Sequence, residues 1–292
     1  MKGPAVRSSP VSSTLSHHRW IASLLLFFGM VIAAAAPASA QLGPPSKDLW
    51  ARWTKSAKTK TVNVDHSAYA SFLKRNLVRG SDGIIRVRYS RVSSADKTLL
   101  NRYIRQMEGV NVDKLTRPQQ MAYWINLYNA KTVDLVIEAY PVKSIRNVRS
   151  VLTLGPWDDK VLKVRGTAIS LNDIEHRILR PIWKDVRIHY AVNCASLGCP
   201  NLATRPYTAA RLNLMLEAAA RDFINSPRAF SIRGGKLHAS SIFNWYQSDW
   251  GSNANAVLRH ARRYGNAVTR AKLKGRTTID DYDYDWSLNL AR

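Results

Sequence analysis

The sequence predicts an α+β fold: a single domain in which a central buried helix packs against an antiparallel sheet with hairpins. Two observations predict it. Helical and hairpin patterns follow one another without the regular strand–helix alternation of a doubly wound sheet. One segment, Met121–Tyr140, carries Trp124, Ile125, Leu127, Tyr128, Val133, Leu135, Val136 and Ile137. It is apolar nearly all round, which suits the centre of a domain.

Residues 1–40 read as a signal peptide. Lys2, Arg7 and Arg19, with His17 and His18, form a basic leader without an acid. Trp20–Ala36 is an apolar run of roughly 17 residues, the low end of what spans a bilayer. Ala38 and Ala40 then supply the small-x-small pattern that a signal peptidase reads, which favours cleavage over a retained anchor. The expected destination is the periplasm or the cell exterior. Residues 41–64 read as a lead-in, loose at Gln41–Lys47, and residues 65–292 as one globular domain.

Within that domain Asp65–Val78 has helical spacing of Ala68, Phe72, Leu73 and Leu77, with Asp65 as cap. Gly80–Gly83 is a turn, and Ile84–Tyr89 alternates apolar and basic residues as a half-buried strand does. Ser94–Met107 is a helix. Thr116-Arg-Pro-Gln119 fits a capping box with proline in the first turn, opening the central helix. Leu152–Ile169 reads as a hairpin turning near Gly166, and Ser170–Arg180 as a short helix stopped by Pro181. Arg187–Cys194 reads as a strand and Ala195–Tyr207 as a loop. Thr208–Ile224 is an amphipathic helix, and Phe230–His238 a second hairpin about Gly234-Gly235. Ile242–Trp250 is a short aromatic helical segment and Asn253–Tyr264 a helix. A basic stretch and the tail Tyr282–Trp286 follow.

The 292 residues hold 44 basic and 20 acidic side chains, a net charge of +24. A chain cleaved after Ala40 loses three bases and no acid, and keeps +21 on about 252 residues. That excess favours an anionic partner: a cell-envelope polymer, an acidic glycan, membrane head groups in peripheral contact, or nucleic acid, although no specific nucleic acid is expected. The run Arg259–Arg276, with Arg262, Arg263, Arg270, Lys272 and Lys274, is a candidate docking strip. Asp280, Asp281, Asp283 and Asp285 follow it and could fold back on it.

Asn126 and Asn129 stand three apart and share a helix face. They either tie loops to the helix or orient a ligand or oxyanion. Glu175, His176 and Arg180 lie on one short helix, with Glu175 beside an apolar stripe and paired with a base. The segment His189-Tyr-Ala-Val-Asn-Cys194 is the centre of interest. On a strand, His189 and Asn193 share one face, roughly 13 Å apart, and Cys194 takes the other. Cys194 then meets His189 only if the strand breaks at Asn193 and the loop folds back.

Three roles stay open for Cys194 and Cys199. They form a disulfide that pins the loop. Alternatively Cys194, or as second choice Cys199, is a nucleophile with His189 as base and Asn126, Asn129 or Asn193 orienting the imidazole. Or both bind zinc with His189, although the spacing fits no standard zinc motif. There is no Gly-rich phosphate loop, no Gly-x-Ser-x-Gly, no His-Glu-x-x-His and no glycosidase-like carboxylate pair. No cofactor and no metal is therefore expected.

Five stretches carry a resemblance: Tyr123–Ala130, Ser170–His176, His189–Pro200, Ile242–Tyr246 with Asp249, and Tyr284–Asn289. In this order they resemble the uncharacterised family catalogued as domain of unknown function 547. The resemblance implies one continuous domain and no particular activity. It points to Asn126, Asn129, Glu175, His189, Asn193, Cys194 and Cys199 as the family's characteristic polar residues. Two functions are expected from the whole reading. One is a thiol-dependent hydrolase or acyl transferase acting on a peptide or amide bond. The other is a non-catalytic, disulfide-stapled envelope module that binds an anionic polymer or membrane surface.

Overall fold

Thr116 and Gln119 form the expected capping box: the Thr116 N–H donates to Gln119 Oε1 at 3.0 Å, and Pro118 sits in the first turn. The helix they open, α3 (Arg117–Ala139), is buried without interruption from Gln119 to Ile137. The computed structural model describes residues 47–148 and 155–291, all within one compact unit. The leader 1–40, residues 41–46 of the lead-in, and Leu152–Leu154 at the start of the expected hairpin lie outside the described residues.

The fold is α+β. Helix α1 (Ser67–Asn76) leads directly into β1 (Leu77–Arg79), which pairs antiparallel with β2 (Ile85–Val87). The helix stops short of Val78 because Leu77 turns extended and pairs with Val87. Helix α2 (Ser94–Gly109), capped by Ser93 Oγ accepting from the Asp96 N–H, lies against α3. A second hairpin joins β3 (Leu162–Val164) to β4 (Thr167–Ile169). Its two turn residues, Arg165 and Gly166, both take positive φ, the turn type that matches strand twist.

Beyond it, α4 (Arg180–Trp183) and α5 (Leu212–Ile224) precede β5 (Phe230–Arg233) and β6 (Lys236–Ser240), which turn at Gly234-Gly235. Then follow α6 (Ile242–Trp245), α7 (Gln247–Trp250), α8 (Ala254–Tyr264) and α9 (Ala267–Leu273). Finally β7 (Asp281–Asp283) joins β6 in parallel. Among the described residues the strands thus make three small sheets, and α3 packs on helices rather than on one sheet.

Two segments depart from the sequence reading. Pro181 does not stop its helix. Residues Asp173–Leu179 form a wider π-helical turn, in which the Arg180 N–H reaches back to Glu175 O. The wider turn accommodates a residue without an N–H, and the helix runs on to Trp183. Arg187–Cys194 is no strand. Asp185 Oδ1 accepts from the Arg187 N–H at 3.0 Å and caps a 3-10 turn, Val186–Tyr190. In the backbone that follows, Asn129 takes the Ala191 C=O and the Asn193 N–H, as described below.

The lead-in is packed from residue 47 onward. Trp53 is fully buried and meets Trp124 edge-on at 5.1 Å. Gln119 and Gln120 on α3 donate to Val62 O and Lys55 O at 2.7 and 2.6 Å. The basic run also changes meaning. Arg262 donates to Leu273 O at 2.8 Å, Arg270 to Gly265 O at 2.7 Å and Lys272 to Phe230 O at 2.8 Å. These three cations clamp the backbone, whereas Arg259, Arg263 and Lys274 of the same stretch are exposed. Among the acids that follow, Asp280 pairs with Arg276 at 3.4 Å and Asp283 with Arg233.

Because Trp53 completes the core around Trp124, Trp53→Ala is expected to cost about 3–5 kcal/mol in urea denaturation. An unchanged midpoint would mean that the lead-in does not belong to the core.

Candidate functional site

A buried amide must find partners for its N–H and C=O groups, and the two asparagines of α3 find them in the loop opposite. Asn126 makes a reciprocal pair with Tyr207, accepting from its N–H and donating to its C=O, both at 2.8 Å. Asn129 donates to Ala191 O at 2.9 Å and accepts from the Asn193 N–H at 2.8 Å. Asn193 continues the pattern, donating to Pro200 O at 2.7 Å and accepting from the Ala195 N–H at 2.9 Å. All three therefore shape the loop; none hydrogen-bonds His189.

At the turn these amides hold, Ala195 takes φ of +59°, the left-handed region that costs a non-glycine residue energy. The Cys194 N–H donates to Cys199 Sγ at 3.0 Å, and both cysteines are free thiols. Cys194 Sγ, Ser196 Oγ and Tyr284 OH form a triangle: 3.1 Å from sulfur to Ser196, 3.0 Å from sulfur to Tyr284, and 3.0 Å between the two hydroxyls. Tyr284 arrives because the C-terminal tail pairs with the cysteine loop. Leu197 and Gly198 donate to Ser287 O and Asp285 O, each at 2.8 Å. Gly198 permits this approach, since a Cβ there would lie 2.8 Å from the Asp285 nitrogen.

Burial alone would push both thiols up. At Cys194 the hydrogen bonds from Cys199, Ser196 and Tyr284 outweigh it and leave this thiol more acidic than usual. At Cys199 burial and the neighbouring Cys194 sulfur act together, and the thiol is held well above its ordinary value.

A second buried cluster adjoins the first. His189 Nε2 bonds Asp249 Oδ2 at 2.8 Å, and Asp249 also receives Arg180 at 2.8 Å and Lys47 at 2.7 Å. Glu175 Oε1 stands 3.7 Å from His189 Nδ1, beyond hydrogen-bond length. Arg180 donates to His176 Nδ1 at 3.0 Å, which requires a neutral ring there. His189 stacks on Tyr246 at 4.1 Å. Burial pushes Glu175 up, but His176, His189 and Arg180 pull it down to about 2. Asp249, despite burial, is held far below the usual carboxylate range by His189, Arg180 and Lys47. Burial lowers His176 to about 4.

The two clusters are neighbours: Tyr128 and Tyr246 each feel the charge of both Glu175 and Cys194. No hydrogen bond joins His189 to either cysteine. The expected Cys–His pairing is thus replaced by a thiol held among hydroxyls and a histidine held between carboxylates. Among the described residues no group of His, Cys, Asp or Glu has the geometry of a metal site.

Residues 112–224 match the family model described as protein of unknown function, DUF547. The chain resembles the DUF547 family over that stretch. No curated protein and no solved structure matches the chain. The matched stretch holds Asn126, Asn129, Glu175, His189, Asn193, Cys194 and Cys199. Tyr246, Asp249 and Tyr284, which complete both clusters, lie beyond it. Sequence reasoning gave Tyr246 and Tyr284 no role. Their signal was only their place in the aromatic segments Ile242–Tyr246 and Tyr284–Asn289, since the fold brings Tyr246 to His189 and Tyr284 to Cys194 from far along the chain, the latter across 90 residues.

His176 and His260 are both lowered to about 4 by burial, from 6.5. The unfolded chain therefore binds more protons than the folded one between those values, and stability falls as pH drops through this window. Glu175, lowered from 4.5 to about 2, adds to the loss between those two values. Urea midpoints measured across this range should decline steadily, with a shallower decline above pH 4 in His176→Gln. Midpoints that do not move with pH would contradict the buried-histidine reading.

Proposed function

We propose that this is an exported thiol-dependent hydrolase or acyl transferase, acting on a peptide or amide bond, with Cys194 as nucleophile. The carrying observation is that the Cys194 sulfur stands within hydrogen-bond distance of the Ser196 and Tyr284 hydroxyls. The leader, with its basic start, apolar run and Ala38-Ser-Ala40 exit, supports export. The strained φ at Ala195, next to the sulfur, fits a residue whose backbone serves chemistry rather than stability.

In this reading Cys194 Sγ attacks the carbonyl carbon, a C–S bond forms, and the carbonyl π electrons move to oxygen. Collapse of that adduct breaks the bond to the leaving amine, which takes up the proton that Cys194 gave up. Tyr284 OH, bonded to both the sulfur and Ser196, is placed to relay it. Water or a second amine then releases the acyl group and restores the thiol. His189, held between Glu175 and Asp249, serves as a fixed wall of the site rather than as the base.

Intact mass after brief exposure to p-nitrophenyl acetate tests this. One acetyl group is expected on the wild type, none on Cys194→Ala, and one on Cys199→Ala. Tyr284→Phe removes one hydrogen bond to a charged sulfur and should slow acetylation about tenfold. Equal labelling of wild type and Cys194→Ala would end the reading.

The closeness of Cys199 Sγ to the Cys194 N–H favours a second reading, a disulfide-stapled module that binds an anionic envelope surface without catalysis. Its expected outcome is that protein made with export intact alkylates at neither cysteine until reduced. Rapid alkylation of Cys194 without reduction would contradict it.

A further inference from the structure

A cleft of about 390 Å3 is lined by Lys143, Ser144, Arg146, Asn147, Trp286 and Ser287. It shares a wall with the cysteine loop. Leu288 donates to Lys143 O at 2.9 Å, and Ser287 O accepts from Leu197 at 2.8 Å. Two cations face this cleft, and neither Lys143 nor Arg146 has a carboxylate partner among the described residues. That sets them apart from Arg262, Arg270 and Lys272, whose charges are tied to backbone carbonyls.

Arg146 lies over Trp286 at 5.3 Å, which orders the guanidinium while its side-chain N–H groups donate to no described residue. Trp286 is itself fixed by Trp157 at 5.8 Å, Trp245 at 5.6 Å and Tyr284 at 4.7 Å. A planar, pre-ordered guanidinium with no carboxylate partner among the described residues, and with a lysine, an amide and a hydroxyl beside it, matches the two oxygens of a carboxylate. The volume is that of a site for a small ligand or one end of a larger one.

We propose that this cleft binds the carboxylate of a peptide C-terminus or of an acidic sugar. Trp286 is two contacts from the Cys194 sulfur, through the Tyr284 ring and its hydroxyl. A molecule anchored here by its carboxylate would present a neighbouring bond to Cys194. That anchoring role rests on the thiol reading; the binding itself does not.

Isothermal titration of the full chain decides it. The probes are an N-acetyl dipeptide with a free or an amidated C-terminus, and glucuronic acid against glucose. One charged member of these pairs is expected to bind at least about tenfold more tightly than its neutral counterpart, and the pair that shows it identifies the source. Arg146→Gln is expected to lose about tenfold and Lys143→Gln less, because a charge-assisted pair is removed. Cys194→Ala should bind as the wild type does. Binding retained in Cys194→Ala without any acylation of the wild type would keep the cleft and end the thiol reading. Charged and neutral probes binding alike, or Arg146→Gln binding like the wild type, would overturn the proposal.

Discussion

Asn129 grips the chain on both sides of Val192, accepting from one peptide group and donating to another. Because that amide sits on a helix buried along almost its whole length, the loop opposite inherits the rigidity of the core. The rest of the candidate site depends on this restraint. Asn193 is set by it, and in turn fixes the backbone of Ala195 and Pro200. A left-handed alanine persists only where its neighbours over-determine it, and here they do. Replacing either asparagine of α3 by an apolar residue would leave two buried backbone groups unpaired, at about 1–3 kcal/mol each.

Two chemistries are set side by side in this frame. Around Cys194 the partners are neutral hydroxyls and a thiol, which stabilise a negative sulfur without a full positive charge. Around His189 the partners are two carboxylates, themselves balanced by Arg180 and Lys47. Tyr128 and Tyr246 lie between, and both phenols are driven to stay protonated by burial first and then by the charge of Glu175.

The α+β class, the capping box, the buried helix and both hairpin turns were readable because each rests on local pattern: a spacing, a cap, a pair of turn glycines. The pairing of Asn126 and Asn129 on one face was readable for the same reason. What failed was non-local. Arg187–Cys194 alternates like a strand, yet Asp185 starts a tight turn and Asn129 takes the backbone groups a ladder would use. Pro181 looks like a stop, yet the wider turn before it absorbs the missing donor. Arg262 and Lys272 give no local sign that they bond carbonyls which only folding brings near. Cys194 and His189 stand out in the sequence, but their partners Tyr284 and Asp249 come from the far end of the chain.

The central claim is that the surroundings of Cys194, and no imidazole, make its thiol more acidic than an ordinary one. The direct measurement is a pH titration of thiolate ultraviolet absorbance in the wild type, where Cys199 is held high and the first thiolate to form is that of Cys194, repeated in Tyr284→Phe and with Cys194→Ala to assign the signal. The account predicts a midpoint below the ordinary thiol value of about 8.5, moving upward when the Tyr284 hydroxyl is removed. A midpoint at or above that value, unaffected by Tyr284, would contradict it.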